Sequence, residues 1–170
     1  MQGPTDCGGA PEMSTVPTPP PMNSALSLLR TVPIFAGMDV NALELLLQQA
    51  KQCDYAEDAV ILREGESSNL LFLIETGQVR VCQNFGQANE VELARLGSKE
   101  FFGEMCILET LPRSATVQAI APSTLFTLSS LAFYHLYEKL PAQHSILLLN
   151  IARDLSRRLR RLDAMFAARH

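Results

Sequence analysis

No run of apolar residues in this chain can cross a bilayer: Leu70-Leu71-Phe72-Leu73-Ile74 and Ile146-Leu147-Leu148-Leu149 fall far short of the roughly 20 residues a spanning helix needs. The start, Met1-Gln2-Gly3-Pro4-Thr5-Asp6, has neither the basic residues nor the apolar stretch of a secretory signal. A cytoplasmic location with no membrane partner is therefore expected. Cysteine is sparse: Cys7, Cys53, Cys82 and Cys106 lie far apart, without a Cys-x-x-Cys pair, and His135, His144 and His170 do not flank them at ligand spacing. That argues against a zinc site and against a disulfide framework. Excess positive charge is missing too, since the formal net charge is −4, which disfavours wholesale neutralisation of nucleic-acid phosphates. Ser114, His135, His144 and the aspartates have no nucleophile-elbow context, and Gly103-Glu104 is no phosphate-cradling Walker loop. No catalytic residue, metal or cofactor is expected, and the chain reads as a binding protein.

What is present is enough apolar material for a core, 47% of 170 residues, in a length that suits one domain with tails. Charge is unevenly spread. From residue 150 onwards Arg153, Arg157, Arg158, Arg160, Arg161 and Arg169 face only Asp154 and Asp163, leaving this segment at +4 and the rest at −8; the reading is a solvated basic face, with an acidic partner as the alternative. Residues 1–23 carry six prolines (Pro4, Pro11, Pro17, Pro19, Pro20, Pro21) and read as a disordered tail, within which Met13 and Met22 are alternative starts.

Order is expected from Ser24, as the cap of a short helix over 25–30. Asp39 caps a second helix through Lys51, with Val40, Leu43, Leu46 and Leu47 at helical spacing. Brief β-like runs follow at 59–63, 69–75, 78–83, 90–96, 114–120 and 124–128, punctuated by Gly65, Gly77, Gly86 and Gly97. A helix returns at Ser129 or Ser130 and stops before Pro141. A last one runs from Ala142 to about Ala168, its stripe Leu148, Ile151, Leu155, Leu159, Leu162, Phe166 stepping by three and four. The fold class is α+β with the β part dominant: helices, an antiparallel, jelly-roll-like β-roll, then helices. In domain terms, the tail (1–23) precedes a domain of helices and β-roll (24–141) and a C-terminal lid helix (142–170), which also offers a seam for a second copy.

One stretch interrupts the β pattern, from Phe101 to Val117. Gly103 permits close backbone approach, and the residues after it favour a short helix whose free N–H groups suit an anion. Arg113 follows a Pro-terminated turn and can fold back on the same anion. A guanidinium matches two phosphate oxygens, while a carboxylate accepts from sugar hydroxyls but repels phosphate. Arg113 and Glu104 thus divide a sugar phosphate between them, and Ser114 adds a hydroxyl. The alternative for the pair is a plain salt bridge between two loops.

These residues resemble a known family. Phe102-Gly103-Glu104-Met105-Cys106-Ile107-Leu108 followed by Pro112-Arg113-Ser114-Ala115-Thr116-Val117 looks like the phosphate-binding cassette of cyclic-nucleotide-binding domains, the family of the bacterial catabolite activator and of the regulatory domains of cyclic-nucleotide-dependent kinases and channels. Ile61-Leu62-Arg63-Glu64-Gly65-Glu66 and Leu71 to Val81 resemble its glycine-marked early strands, and Leu29 to Phe35 its helical lead-in. The resemblance covers roughly residues 26 to 163. It implies that the cassette, from Gly103 through Met105 and on to Ala115, binds the ligand: Glu104 the ribose 2′-hydroxyl, Arg113 the cyclic phosphate, with backbone amides around Cys106 and Ala115 assisting. Cys106 stands where the family most often has alanine, and reads as a small apolar filler.

Val81 and Leu96 are candidates for the apolar pocket wall. Where the catabolite activator meets the base with hydroxyl residues, ungapped alignment places Leu162 and Asp163; with Phe166 these are the lid candidates. Ser114 is compatible with cyclic AMP and with cyclic GMP, and cyclic AMP is favoured. The resulting expectation is a stand-alone sensor that signals to an unidentified protein partner, with a homodimer through the C-terminal helix left open. The alternatives are a truncated regulator of the catabolite-activator type, since the chain ends where a DNA-reading domain would begin, and a repurposed scaffold that binds no nucleotide.

Overall fold

The computed structural model describes residues 16–105 and 111–167. Helix α1 (Met22–Thr31) leads through a 3-10 turn (Pro33–Phe35) to α2 (Val40–Leu47). Eight strands follow: β1 (Lys51–Tyr55), β2 (Val60–Leu62), β3 (Leu70–Thr76), β4 (Gln78–Gln83), β5 (Val91–Gly97), β6 (Phe101–Phe102), β7 (Thr116–Ala119) and β8 (Ser123–Ser129). Helices α3 (Ser130–Lys139) and α4 (Pro141–Ala167) close the described chain. The strands form two antiparallel four-stranded sheets, ordered β1-β8-β3-β6 and β2-β7-β4-β5, so the α+β roll with flanking helices is the observed architecture.

The first sheet is covered on both faces, which explains the unbroken apolar run of β3. Leu71 and Leu73, with Phe101, Phe126 and Leu128, pack against the helices. Phe72 and Ile74 point the other way, into the space between the sheets, with Cys53, Tyr55, Phe102, Val117 and Leu125. Alternate residues of a strand face opposite sides, so a strand buried on both needs no polar alternation. Phe72 and Phe102 stack there with centroids 4.9 Å apart.

The helices gather on the first core through α1 (Ala25, Leu28, Leu29), α2 (Ala42, Leu43, Leu46, Leu47) and Leu147 and Ile151 of α4. Asp39 caps α2 as expected, its carboxylate accepting from the Ala42 N–H at 2.8 Å. Asn150 of α4 donates to the carbonyls of Ile34 and Ala36. At the other end of the roll, the Ser130 N–H that opens α3 donates to the Asn69 carbonyl at 2.9 Å.

Several expectations are corrected. Helix α1 starts at Met22, after Pro21, and Ser24 is no cap: its hydroxyl donates to the Pro21 carbonyl at 3.0 Å. Proline fits there because its fixed φ is already close to helical. Order also begins ahead of Ser24, with Thr18 bridging Gln52 in antiparallel fashion; residues 1–15 of the proline-rich segment lie outside the described residues. Helix α2 ends at Leu47, and Lys51 opens β1, which pairs with β8. Cys53 is disulfide-bonded, and Cys82 is free and buried. No helix among the described residues is long and apolar enough to cross a membrane.

Candidate nucleotide site

The site is assembled where β6 runs out. Phe101 and Phe102 are held by pairing with β3, and the chain then turns at Gly103, whose φ of +82° an L side chain resists. A Cβ at this position would lie 2.8 Å from both the Arg113 Nη1 and the Leu70 carbonyl oxygen. The glycine therefore serves a close approach, and what approaches is the guanidinium itself.

Arg113 is 8% exposed and is fixed at both ends. Its backbone zips to the β2–β3 loop, with the Arg113 N–H donating to Glu66 O at 2.8 Å and the Gly65 N–H donating to Arg113 O at 2.9 Å. Its side chain donates from Nη2 to Leu70 O (2.6 Å) and Ser68 Oγ (2.9 Å), and from Nη1 to Gly103 O (3.2 Å). The guanidinium is thus seated on protein oxygens, because a buried cation must satisfy its donors.

Glu104 is 6% exposed, and its partner is not Arg113. Among the described residues its carboxylate meets Arg158 of α4, Nη1 to Oε1 at 3.3 Å, so the loop-to-loop salt bridge considered as the plain alternative is not formed. Arg158 is further placed by Asp154 one turn earlier (2.7 Å), by donation to Phe101 O (3.3 Å), and by stacking 4.8 Å above the Phe101 ring. Such a cation over an aromatic face, hydrogen-bonded at its rim, is held in one orientation.

The other candidates fall as follows. Met105 is exposed, while Cys106 lies outside the described residues. Ser114 is exposed, Ala115 and Thr116 are buried. Val81 and Leu96 are half-buried and pack on the inter-sheet core, with Val81 facing Ala94, and Leu96 facing Val79, in the β4–β5 ladder. Asp163 is exposed on α4; the side chains of Leu162 and Phe166 are not described. A buried acid and a buried cation thus meet at the Gly103 turn. Among the described residues no cluster of His, Cys, Asp or Glu is placed to hold a metal ion.

Residues 52–139, more than half of the chain, match the family model of the cyclic nucleotide-binding domain. The chain belongs to that family. The cyclic AMP receptor protein of Thermus thermophilus is 31% identical over 131 residues, which make up 77% of this chain and 59% of that protein. The solved catabolite activator protein of Thermus thermophilus aligns with a TM-score of 0.67 at 30% identity, covering 80% of this chain and 62% of that one. A cyclic nucleotide-binding domain from Methylobacillus flagellatus shares the fold, with a TM-score of 0.75, 24% identity and coverage of 87% and 83%. The chain spans less than two thirds of the Thermus receptor protein.

Within this cyclic nucleotide-binding domain, Arg158 is the site neighbour that sequence reasoning missed. In the sequence it reads as one of six terminal arginines. The usable signal was its register: Arg158 lies seven residues after the buried Ile151, which returns it to nearly the same helix face, and Asp154 stands at the i−4 position suited to pair with it.

Proposed function

We propose that this domain binds a 3′,5′-cyclic nucleotide, cyclic AMP in preference to cyclic GMP, and passes the event on through its terminal helix, as a sensor and not as an enzyme. The observation that carries this reading is the joint placement of Arg113 and Glu104 around the Gly103 turn, one cationic and one anionic, both buried. The ribose 2′-hydroxyl donates to Glu104, and the cyclic phosphate accepts from the Arg113 guanidinium and from backbone amides around Cys106 and Ala115. The base lies along Val81 and Leu96.

Arg158 occupies Oε1 of Glu104, so a sugar hydroxyl at Oε2 adds to the helix contact instead of displacing it. Ligand and helix then share one carboxylate, and binding shifts α4 towards the docked state by the difference in affinity for its two positions. An unidentified protein reads that change. The same helix leaves Leu149 and Leu159 exposed, the surface that a second copy would cover in a homodimer; light scattering returning a monomer mass with and without ligand would remove that part.

The decisive experiment is a titration of cyclic AMP, cyclic GMP and 2′-deoxy cyclic AMP, read by calorimetry and by thermal shift. Ligands selective for the folded state raise its melting temperature. Cyclic AMP should bind most tightly and the 2′-deoxy analogue markedly less. No shift with any cyclic nucleotide would leave the scaffold reading in its place.

A further inference from the structure

Helix α4 has two faces, and only one of them packs on the rest of the domain. Leu147 and Ile151 are buried in the first core, with Leu155 packed against it, and Arg158 reaches Glu104. On the opposite side Leu149, Ala152, Ser156 and Leu159 are exposed, at steps of three and four along the helix. That spacing is the a and d pattern of a coiled-coil seam, and Asp163, exposed at the next seam position, ends it. Arg153 and Arg160 each follow a d residue and so occupy both e positions beside the seam, and both are exposed. Arg153 donates to Asn150 Oδ1 at 3.4 Å, and neither arginine pairs with a described carboxylate.

We infer that the exposed face of α4 docks an acidic amphipathic helix of another protein. The surface is one helix wide and runs about 15 Å from Leu149 to Leu159 at the helical rise, which suits a helix laid along it. Its flanking charges select the occupant. In a coiled coil the e position meets g of a parallel neighbour and e of an antiparallel one. A second copy of this chain has leucine at g, Leu148 and Leu155, and Leu155 is turned to its own core; run antiparallel, a second copy sets arginine against arginine. Neither direction gives Arg153 and Arg160 an acid, whereas glutamates on a different helix give both a counter-charge. Leu149 and Leu159 then supply apolar contact, and the arginines supply the choice of partner. The inference does not require the nucleotide reading, and it names the kind of protein that reads α4.

Two labelled peptides of about three heptads, with leucine at every a and d position and either glutamate or lysine at every e and g, are to be titrated against the full chain by fluorescence anisotropy. The glutamate peptide should bind about tenfold more tightly than the lysine peptide, with the difference shrinking at high salt. In Arg153→Gln/Arg160→Gln its affinity should fall about fivefold, the scale of two exposed ion pairs. In Arg153→Glu/Arg160→Glu the preference should turn to the lysine peptide, a gain that a misfolded variant cannot show. Arg95→Gln/Lys99→Gln removes the same charge from exposed sites on the roll and should change neither affinity. No binding of the glutamate peptide, equal affinity for the two peptides, or an equal loss in the roll variant overturns the proposal. So does a dimer of the chain alone that Leu159→Asp dissolves, since the seam then belongs to a second copy, and so do phosphatidylserine vesicles bound in preference to the glutamate peptide, which give it to a lipid surface.

Discussion

The two charged arms of the pocket are anchored by different parts of the molecule. Arg113 is held by the roll through Leu70, Ser68, Gly103 and the backbone of Gly65 and Glu66. Glu104, only nine residues earlier, is met by α4 through Arg158. The contacts named for the cationic arm all come from the roll, while the anionic arm meets the terminal helix. On the proposed reading, affinity for phosphate belongs to the first and communication to the second.

Breaking the cationic arm has the largest expected effect. Arg113→Ala should weaken cyclic-nucleotide binding by roughly 2–5 kcal/mol, and calorimetry showing unchanged affinity would refute its role. Gly103→Val tests the seat instead of the fork. A Cβ there meets the Leu70 carbonyl as well as Arg113, at a φ of +82°, so stability should drop by roughly 1–3 kcal/mol, read as a lower urea midpoint. Arg158→Gln should cost only about 1 kcal/mol in ligand affinity, because the pair is partly solvated. It should nonetheless speed protease cleavage within α4, and equal cleavage rates for variant and native protein would uncouple the helix from Glu104.

The smallest effect lies outside both arms. Burial pushes the His144 imidazole below its ordinary pKa, so the folded state favours the neutral ring. Its contribution is complete above the unfolded value, near 6.5, and is lost as the pH falls from there through the lower folded value. Melting should drop less between neutral and mildly acidic pH in His144→Gln than in the native protein, by on the order of 1 °C.

What sequence could reveal tracked how locally each feature is encoded. The Asp39 cap, the strand at 78–83 and the glycine-marked turns rest on neighbours in the chain, and were legible. β1 was not, because Lys51-Gln52-Cys53-Asp54-Tyr55 has apolar side chains only at Cys53 and Tyr55 and gains its identity from pairing with β8. β6 is two residues long, too short to carry any period. At the site, the cassette residues were readable as a motif. The seating of Arg113 on three oxygens and the choice of Arg158 among its neighbours are set by contacts across 10 to 57 positions, which no local pattern encodes.

Two adjacent carbonyls at the start of β3 have divided duties: Asn69 receives the opening amide of α3, and Leu70 receives the Arg113 guanidinium. Under the proposed reading, an anion drawn to the arginine would act one peptide away from the amide that opens α3. That adjacency, if the reading holds, gives the helices a second point of contact with the ligand-facing cation, separate from Arg158 of α4.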